Sequence, residues 1–440
     1  MVVLIGLLAG IGTITFGWMV LETEREARTF RGLGDAAISV AELPKTLSEL
    51  MQPDRSMVSP FARGLPDIPT GWSFPQGAKP TGIDGYLLQS RYDGNRKRHL
   101  VELLSLSDFS VVYSWSPDAD SLLQDASRES KIASYTRWDT RHFRAIHPYL
   151  LDNGDLIFKD HYGPLMRVNA CGKSVWRQDT VMFSHSTEPD GAGGLWLPAN
   201  PVKVPDARLP DDSFYDSLAH VSADGKIIDL LPLDKILAEN GYNHLVFSVG
   251  EIDKDPVHLN DIEPVLADGP YWKKGDLFLS LRRPSTIMLY RPSTNKIIWS
   301  KAGPWLTQHD VDLLDDHRIS IFSNNSVRFK DGLDFIGNSE VLVYDFATDT
   351  TTSPWSKTFK DYDVKSRHEG LSSQVPGGMM FVEEESAGRY LLFSSDGTVV
   401  AQFVNRADDG LIYRLGWSRY VEKTLGDKVL NKMKDVNCDE

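Results

Sequence analysis

The chain has 440 residues, a net charge of −14 and 41% hydrophobic residues, which is enough apolar material for a sizeable buried core. No basic stripe interrupts this acidic balance, so the composition argues against nucleic acid as a partner. Cys171 and Cys438 are the only cysteines, which excludes a disulfide framework, and we expect two unpaired thiols.

The N-terminal stretch Val2–Leu21 carries no charged residue and is long enough to cross a bilayer as a helix. Trp18 lies near its end, where aromatic residues accumulate at membrane interfaces. A basic region and a small-residue cleavage site, which would indicate a cleaved signal peptide, are both missing. We therefore expect an uncleaved membrane anchor over residues 1–22, with its orientation left open.

Residues 23–82 read as a helical and proline-rich lead. Apolar residues spaced near 3.6 in Ala36–Leu43 and Leu47–Met51 predict helix, which Pro44 interrupts. Prolines and glycines between Pro53 and Gly82 predict an irregular linker.

From residue 83 the pattern changes to short strands and tight turns, and a unit recurs in which a histidine precedes a strand, a Gly or Asp turn and a second strand. Unequal spacing between units indicates insertions. Four short strands per unit in five or six units are typical of a β-propeller. We predict an all-β fold with a six-bladed propeller over 83–425 and a tail over 426–440. Residues 85–117 would form an early blade without the histidine, and Gly410–Trp417 would close the ring.

The inner strand of each propeller blade starts at the central channel, so residues at these starts converge. The histidines expected to face this cavity are His147, His185, His258, His309 and His368. Asn260 lies two residues after His258 and so points the same way on an extended strand. Arg282, with Arg283 beside it, can bring a permanent cation to the same channel mouth.

Several histidines with an amide, an arginine and few carboxylates suit the transfer of a compact anion such as a sulfuryl or phosphoryl group. A neutral imidazole attacks, a second protonates the leaving oxygen, and the arginine and amide neutralise charge on the remaining oxygens. Two alternatives remain open: a Zn, Cu or Fe site held by the histidines, and histidines that only hydrogen-bond neighbouring blades. Because no acidic metal cluster accompanies the histidines, we expect neither a metal nor a cofactor.

The sequence resembles the bacterial arylsulfotransferase family over roughly residues 140–420. The residues that carry the resemblance are Gln308-His309-Asp310, Phe322-Ser323-Asn324, the His258-x-Asn260 pair with Arg282, and His185. The resemblance implies a six-bladed propeller of the bacterial envelope that transfers sulfate without the nucleotide donor PAPS.

The resemblance further implies that His309 is the nucleophile, forming a transient sulfohistidine between an aryl sulfate donor and a phenolic acceptor. His258, Asn260 and Arg282 would hold the sulfuryl oxygens, and His185 would assist departure of the donor. An insertion at 263–274 makes Arg283 the alternative to Arg282. His147 and His368 would line the substrate site.

We therefore expect a membrane-anchored arylsulfotransferase-like enzyme with its propeller in the periplasm. The alternative is a catalytically silent propeller that binds or assembles membrane-protein partners, and a quinoprotein-type or metal-dependent oxidoreductase is a third hypothesis. The insertion Asp206–Asp216 is either a lid over the cavity or a solvated loop.

Overall fold

A computed structural model describes residues 2–24, 33–34, 36–38, 40–41, 56–60, 65–247, 250, 252–330, 332–434 and 436–438. The chain divides into two compact units, Met1–Ser56 and Met57–Glu440. The predicted helix over Leu47–Met51 lies outside the described residues, as does part of the helix predicted over Ala36–Leu43. The second unit is an all-β, propeller-like fold.

The helices are short apart from the first and the last. They are α1 (Val2–Glu24), α2 (Ala119–Leu122), α3 (Leu233–Glu239), α4 (His244–Phe247), α5 (Ser356–Asp361) and α6 (Lys423–Met433), with 3₁₀ turns at Leu65–Asp67, Lys131–Tyr135, Pro292–Thr294 and Glu385–Ala387. Within the described residues no helix is both long and apolar enough to cross a membrane, and the anchor expected over residues 1–22 stays a prediction.

The strands are short and follow one another closely along the chain. They are β1 (Gly71–Ser73), β2 (Tyr86–Asp93), β3 (Arg98–Ser105), β4 (Ser110–Trp115), β5 (Ile146–Leu150), β6 (Leu156–Lys159), β7 (Gly163–Val168), β8 (Ser174–Phe183), β9 (Glu188–Pro189), β10 (Leu195–Pro201), β11 (Ser217–Val221), β12 (Ile227–Pro232), β13 (Leu259–Pro264), β14 (Leu277–Leu281), β15 (Thr286–Arg291), β16 (Lys296–Ala302), β17 (Val311–Leu313), β18 (Arg318–Ser323), β19 (Ser326–Phe329), β20 (Gly332–Phe335), β21 (Glu340–Asp345), β22 (Thr350–Thr352), β23 (Leu371–Val375), β24 (Met379–Glu384), β25 (Arg389–Phe393), β26 (Val399–Val404) and β27 (Arg419–Val421).

Antiparallel pairing groups these strands into five larger sheets and one separate hairpin, so they do not form the six four-stranded blades that we predicted. The four-stranded sheets are β27-β2-β3-β4, β13-β14-β15-β16 and β17-β18-β21-β22, and a five-stranded sheet runs β1-β26-β25-β24-β23. An eight-stranded sheet contains β5 to β8 and β9 to β12, and β19 and β20 form a separate hairpin. The prediction of six separate blades is therefore wrong as a sheet count. The reason lies in β8, whose last residues Val181–Phe183 pair with β10 while the strand also pairs with β7.

Two pairings between distant parts of the chain close the propeller. Strand β27 pairs with β2 through Tyr86 and Val421, and β1 pairs with β26 through Trp72 and Phe403. The predicted closing strand Gly410–Trp417 is displaced, because β27 begins two residues beyond its end. Closure leaves fewer free sheet edges to recruit other chains.

The core is divided into apolar clusters, each lying between two successive groups of strands. One cluster joins β2–β4 to β5–β7, and five further clusters continue this contact around the ring until the last joins β23–β26 back to β2 and β3. Trp115, Trp305 and Trp417 are among the largest fully buried side chains. Each inner strand is thus fixed from both sides by its neighbours.

Cys171 and Cys438 form a disulfide, so the expectation of two unpaired thiols is wrong. The bond joins the turn between β7 and β8 to the segment after α6, whose Val429 and Met433 are buried in the first core cluster. The sequence separation of 267 residues hides this contact from sequence reasoning, because only the closed ring brings the two cysteines together.

We predict that Cys438→Ser lowers the free energy of unfolding by about 2–4 kcal/mol, because the crosslink restrains a long loop of the unfolded chain. The measurement is urea unfolding under non-reducing conditions. Cys171→Ser and the double variant should show the same loss as Cys438→Ser, since all three remove one bond. A double variant that loses the sum of both single effects would contradict the crosslink.

Candidate active site

The backbone at the start of each inner strand adopts a left-handed conformation that non-glycine residues rarely take. The residues are His147 (φ 44°), His185 (φ 48°), His258 (φ 56°), Thr307 (φ 51°), Glu369 (φ 57°) and Trp417 (φ 61°). Each such residue costs on the order of 1–3 kcal/mol unless its surroundings hold it in place. Because the left-handed residue recurs, the same kind of turn precedes each inner strand around the channel.

His185 lies at the centre of a group of imidazole rings that contact one another edge to face or at a tilt. Its ring centroid is 4.7 Å from that of His161, 5.0 Å from that of His258 and 6.3 Å from that of His309. Trp417 packs 6.2 Å from His309 and 6.3 Å from His185. The structure therefore brings together His185, His258 and His309, which lie on three different parts of the sequence.

Asn324 fixes which nitrogen of His309 carries the proton. The Asn324 amide donates to the carbonyls of Ser366 (3.0 Å) and Glu369 (2.6 Å), so its Oδ1 must face the His309 ring. That oxygen lies 2.7 Å from His309 Nδ1 and accepts its hydrogen. The lone pair of the neutral ring is consequently on Nε2.

The Nε2 lone pair of His309 is itself engaged, because it accepts the backbone N–H of Glu369 at 2.9 Å. The side chain is only 2% exposed. Burial, with a further contribution from the nearby Arg282 charge, holds the pKa of His309 well below its usual range. His309 is thus a neutral imidazole whose nucleophilic nitrogen is covered by one peptide group.

The Glu369 segment that covers His309 is held by a buried ionic network. Arg144 donates to both carboxylate oxygens of Glu369, at 3.1 and 2.5 Å, and to Glu385 at 2.7 Å. His161 Nε2 lies 3.0 Å from Glu369 Oε1. The Arg144 guanidinium and the His161 ring hold the pKa of Glu369 well below its usual range, although burial opposes them. Glu369 is therefore an anchored carboxylate.

His258 has the same tautomer as His309 but a more exposed ring. Its Nδ1 lies 2.5 Å from Asp255 Oδ2, so the carboxylate accepts that hydrogen and leaves the lone pair on Nε2. The side chain is 17% exposed. An imidazole oriented by a carboxylate is the usual arrangement of a general base.

Arg282 supplies a cation that the rest of the described chain does not neutralise by direct contact. Its Nε is buried without a hydrogen-bond partner, and burial lowers its pKa. By contrast, Arg283 is 41% exposed and pairs with Asp253 at 3.0 Å. The structure therefore distinguishes the two candidates: Arg282 faces the histidines, whereas Arg283 faces the surface.

The side-chain amides of Asn260 and Gln308 hydrogen-bond backbone carbonyls beside the channel. Asn260 Nδ2 donates to the Gln308 carbonyl at 2.9 Å, and the Gln308 amide donates to the carbonyls of Leu281 (3.0 Å) and Thr286 (3.2 Å). One hydrogen of the Asn260 amide is thus already used. Asn260 Oδ1 is buried without a partner.

The remaining two predicted histidines differ in their surroundings. His147 Nδ1 accepts the Thr187 N–H at 3.2 Å, and its Nε2 lies 2.8 Å from the Arg419 guanidinium, so both ring nitrogens are engaged. His368 is partly exposed, and burial together with the charge of Arg282 lowers its pKa to about 4. His368 lies beside the site, whereas His147 belongs to the channel wall.

Carboxylates are more numerous along the channel than we expected from the sequence. They are Glu188, Asp261, Glu263, Asp310 and Asp312, on or beside the inner strands β9, β13 and β17. Burial, with the neighbouring Glu188 charge, raises the pKa of Asp261 to about 7. These acids lie in or beside the same sequence segments as the predicted histidines. The sequence interpretation considered only the histidines of those segments.

The C-terminal part of the insertion Asp206–Asp216 packs against a neighbour of the histidine group. The Phe214 ring is 4.7 Å from that of Tyr162, which lies 6.1 Å from the His185 ring. The Phe214 N–H donates to the Lys254 carbonyl at 2.7 Å. This part of the insertion is therefore a packed segment and not a solvated loop.

Sequence reasoning missed His161, Glu369, Arg144 and Asp255. His161 lies in the turn between β6 and β7 and not at the start of an inner strand, so the repeat gives no signal for it. Glu369 contacts His309 through its backbone, which no side-chain pattern reveals. The Asp-x-x-His spacing of Asp255 and His258 was a usable signal.

Among the described residues, one group has ligand atoms close enough to share a metal ion: Asp315, Asp316 and His317, in the turn between β17 and β18. None of these three belongs to the histidine group around His185.

We predict that His309 stays neutral, with Nδ1 protonated, throughout the pH range in which an exposed histidine titrates, because burial lowers its pKa. The measurement is a ¹⁵N NMR titration of labelled protein, with His309→Gln to assign the signal. The partly exposed His317, whose pKa Asp316 raises, should titrate in the same spectra. A midpoint for His309 near 6.5 would contradict the prediction.

Comparison with known proteins identifies one family. The sequence model described as Arylsulfotransferase (ASST) matches residues 147–406. A comparison with curated proteins finds no match.

Similar solved structures include a protein of unknown function from Bacteroides caccae (TM-score 0.46, 9% identity, covering 77% of this chain and 99% of that chain). A nidogen/laminin complex has a TM-score of 0.42 at 8% identity, covering 78% of this chain and 99% of that chain. TolB from Acinetobacter baumannii has a TM-score of 0.42 at 10% identity, covering 77% of this chain and 66% of that chain.

Proposed function

The chain belongs to the arylsulfotransferase family, and on this premise we propose that it moves a sulfuryl group from an aryl sulfate to a phenolic acceptor through a sulfohistidine at His309. The observation that supports this most is the fixed tautomer of His309, which places the lone pair on Nε2. The unpaired guanidinium of Arg282 supplies charge for the sulfuryl oxygens.

In the first half-reaction, the Nε2 lone pair of His309 attacks sulfur and forms the N–S bond. The S–O bond to the aryl group breaks, and its electron pair leaves with the phenolate. The ring becomes an N-sulfo imidazolium, whose Nδ1–H is stabilised by Asn324 Oδ1 at 2.7 Å. His185, packed between His258 and His309, would contact the departing phenolate.

In the second half-reaction, the acceptor phenol attacks sulfur and the N–S bond breaks, returning the lone pair to His309. The phenol proton passes to Nε2 of His258, whose Nδ1–H is held by Asp255. His258 then returns this proton to solvent, and the donor phenolate released earlier takes one up from solvent, so the cycle is balanced. This route requires the Glu369 N–H to move away from Nε2, after which the same N–H can bind a sulfuryl oxygen.

The proposal also covers the location of the chain. We propose that it lies in the bacterial envelope outside the cytoplasm, which the Cys171–Cys438 disulfide supports because such bonds persist in oxidising compartments.

A second function is favoured by one specific observation. Because the His309 lone pair already accepts a peptide hydrogen and the side chain is 2% exposed, the ring is also suited to a purely structural role. The propeller would then be a catalytically silent binding or assembly subunit of a membrane complex.

The test is release of nitrophenolate from 4-nitrophenyl sulfate by the full chain with phenol as acceptor. We expect His309→Ala to abolish release and Arg282→Met to lower kcat by about 10²–10³, since a donor to the transferring group is lost. His317→Ala is the matched control, because His317 lies in a turn outside the histidine group, and its activity should be unchanged.

Folded protein that releases no nitrophenolate with phenol or with bulkier acceptors would favour the silent role. Release that persists in His309→Ala would reject His309 as the nucleophile.

A further inference from the structure

A cavity of about 460 Å³ lies beside the histidine group and takes no part in the chemistry described above. It is bounded by the insertion 206–216, by helices α3 and α4, and by the segment 252–257. Small-molecule sites are commonly concave spaces of about this size with mostly apolar walls.

The walls of the cavity are partly apolar, and they include a residue adjacent in sequence to the histidine group. Phe214, Val246, Phe247 and Ile252 line it. Val257, which also lines it, directly precedes His258. Phe214 packs on Tyr162, as described above. These side chains offer an apolar surface to a flat aromatic molecule.

Two polar atoms at the cavity have no partner in the described structure. Ser213 Oγ and Asp234 Oδ1 are buried without a hydrogen bond, and Ser213 is 4% exposed. The other Asp234 oxygen accepts the Tyr215 hydroxyl at 2.6 Å. A buried polar group left unsatisfied costs about 1–3 kcal/mol, so a ligand that donates hydrogen bonds here gains affinity.

The charges of the lining favour a cation. Charged residues that are already neutralised form the pairs Arg208–Asp206 (2.5 Å), Lys254–Asp212 (2.9 Å) and Arg283–Asp253 (3.0 Å). Within the described part of the chain, Asp216 and Asp234 make no ion pair with a basic side chain. The uncompensated carboxylates disfavour an anionic aryl sulfate and attract a positively charged group.

We propose that this cavity binds an aromatic alcohol that carries a protonated amine, with the ammonium group directed to Asp234. Its role as the sulfuryl acceptor rests on the function proposed above. The donor, an anion, would then use the channel beside Arg282, and the two substrates would be separated by charge.

The test is calorimetric binding of tyramine and of 4-hydroxyphenylacetate to the full chain. The two probes share a phenol ring and differ in the sign of their charge. We expect tyramine to bind at least about tenfold more tightly, which corresponds to about 1.4 kcal/mol. Asp234→Asn should remove most of this preference, whereas Asp316→Asn, a change in an exposed turn, should preserve it.

A second variant tests the cavity without disturbing the core. Ala238 lines the cavity from an exposed position on α3, so Ala238→Trp should fill the space and weaken tyramine binding while the protein still folds. Equal binding of the two probes, or tyramine binding unchanged in both Asp234→Asn and Ala238→Trp, would overturn the proposal.

Binding does not depend on sulfuryl transfer, so the two proposals fail separately. Charge-selective tyramine binding that persists in His309→Ala supports the cavity site even where no transfer occurs. Transfer to phenol by a chain that does not bind tyramine overturns the cavity site and leaves the proposed function intact.

Discussion

The site depends on one backbone constraint, the left-handed residue at which the chain turns into each inner strand. Thr307 takes this conformation, and His309 follows it by two residues; His258 takes it directly, and Asn260 follows by two. Because such residues are strained, they persist only where packing on both sides holds them. The closed ring provides that packing, and the turns in return place the imidazoles at the channel.

Burial then determines the protonation of the site. The rings of His185 and His309 are held neutral because desolvation disfavours their charged forms. Glu369, an anchored anion near them, is compensated by Arg144. Among the described residues Arg282 forms no ion pair, so an incoming anion can serve as its counterion in the channel. This combination of neutral imidazoles and a free cation suits the attack on a sulfuryl group.

The sequence pattern predicted the propeller-like fold, its short strands and the meeting of His185, His258 and His309. The sequence interpretation placed the repeats in the wrong register, however, because it aligned each histidine of one unit with the histidine of the next. In the structure Thr307 is the counterpart of His258, so His309 corresponds to Asn260. Side-chain type alone cannot reveal this register, since the feature that recurs in every unit is the left-handed backbone conformation.

Other features were beyond sequence reasoning for physical reasons. The contact between the Glu369 peptide and His309 Nε2 involves no side chain of Glu369, and the Cys171–Cys438 bond joins residues that only ring closure brings together. The merging of two strand groups follows from β8, whose last residues pair with β10 while the strand also pairs with β7. Each depends on how distant segments are placed in three dimensions.

The central claim is that Nε2 of His309 becomes covalently bound to sulfur. The most direct measurement is to mix the full chain with an aryl sulfate in the absence of acceptor, stop the reaction and map the modified residue by peptide mass spectrometry. The account predicts one sulfuryl group on His309 and its loss when phenol is added. A sulfuryl group on His185 or His258, or turnover without any modified histidine, would contradict it.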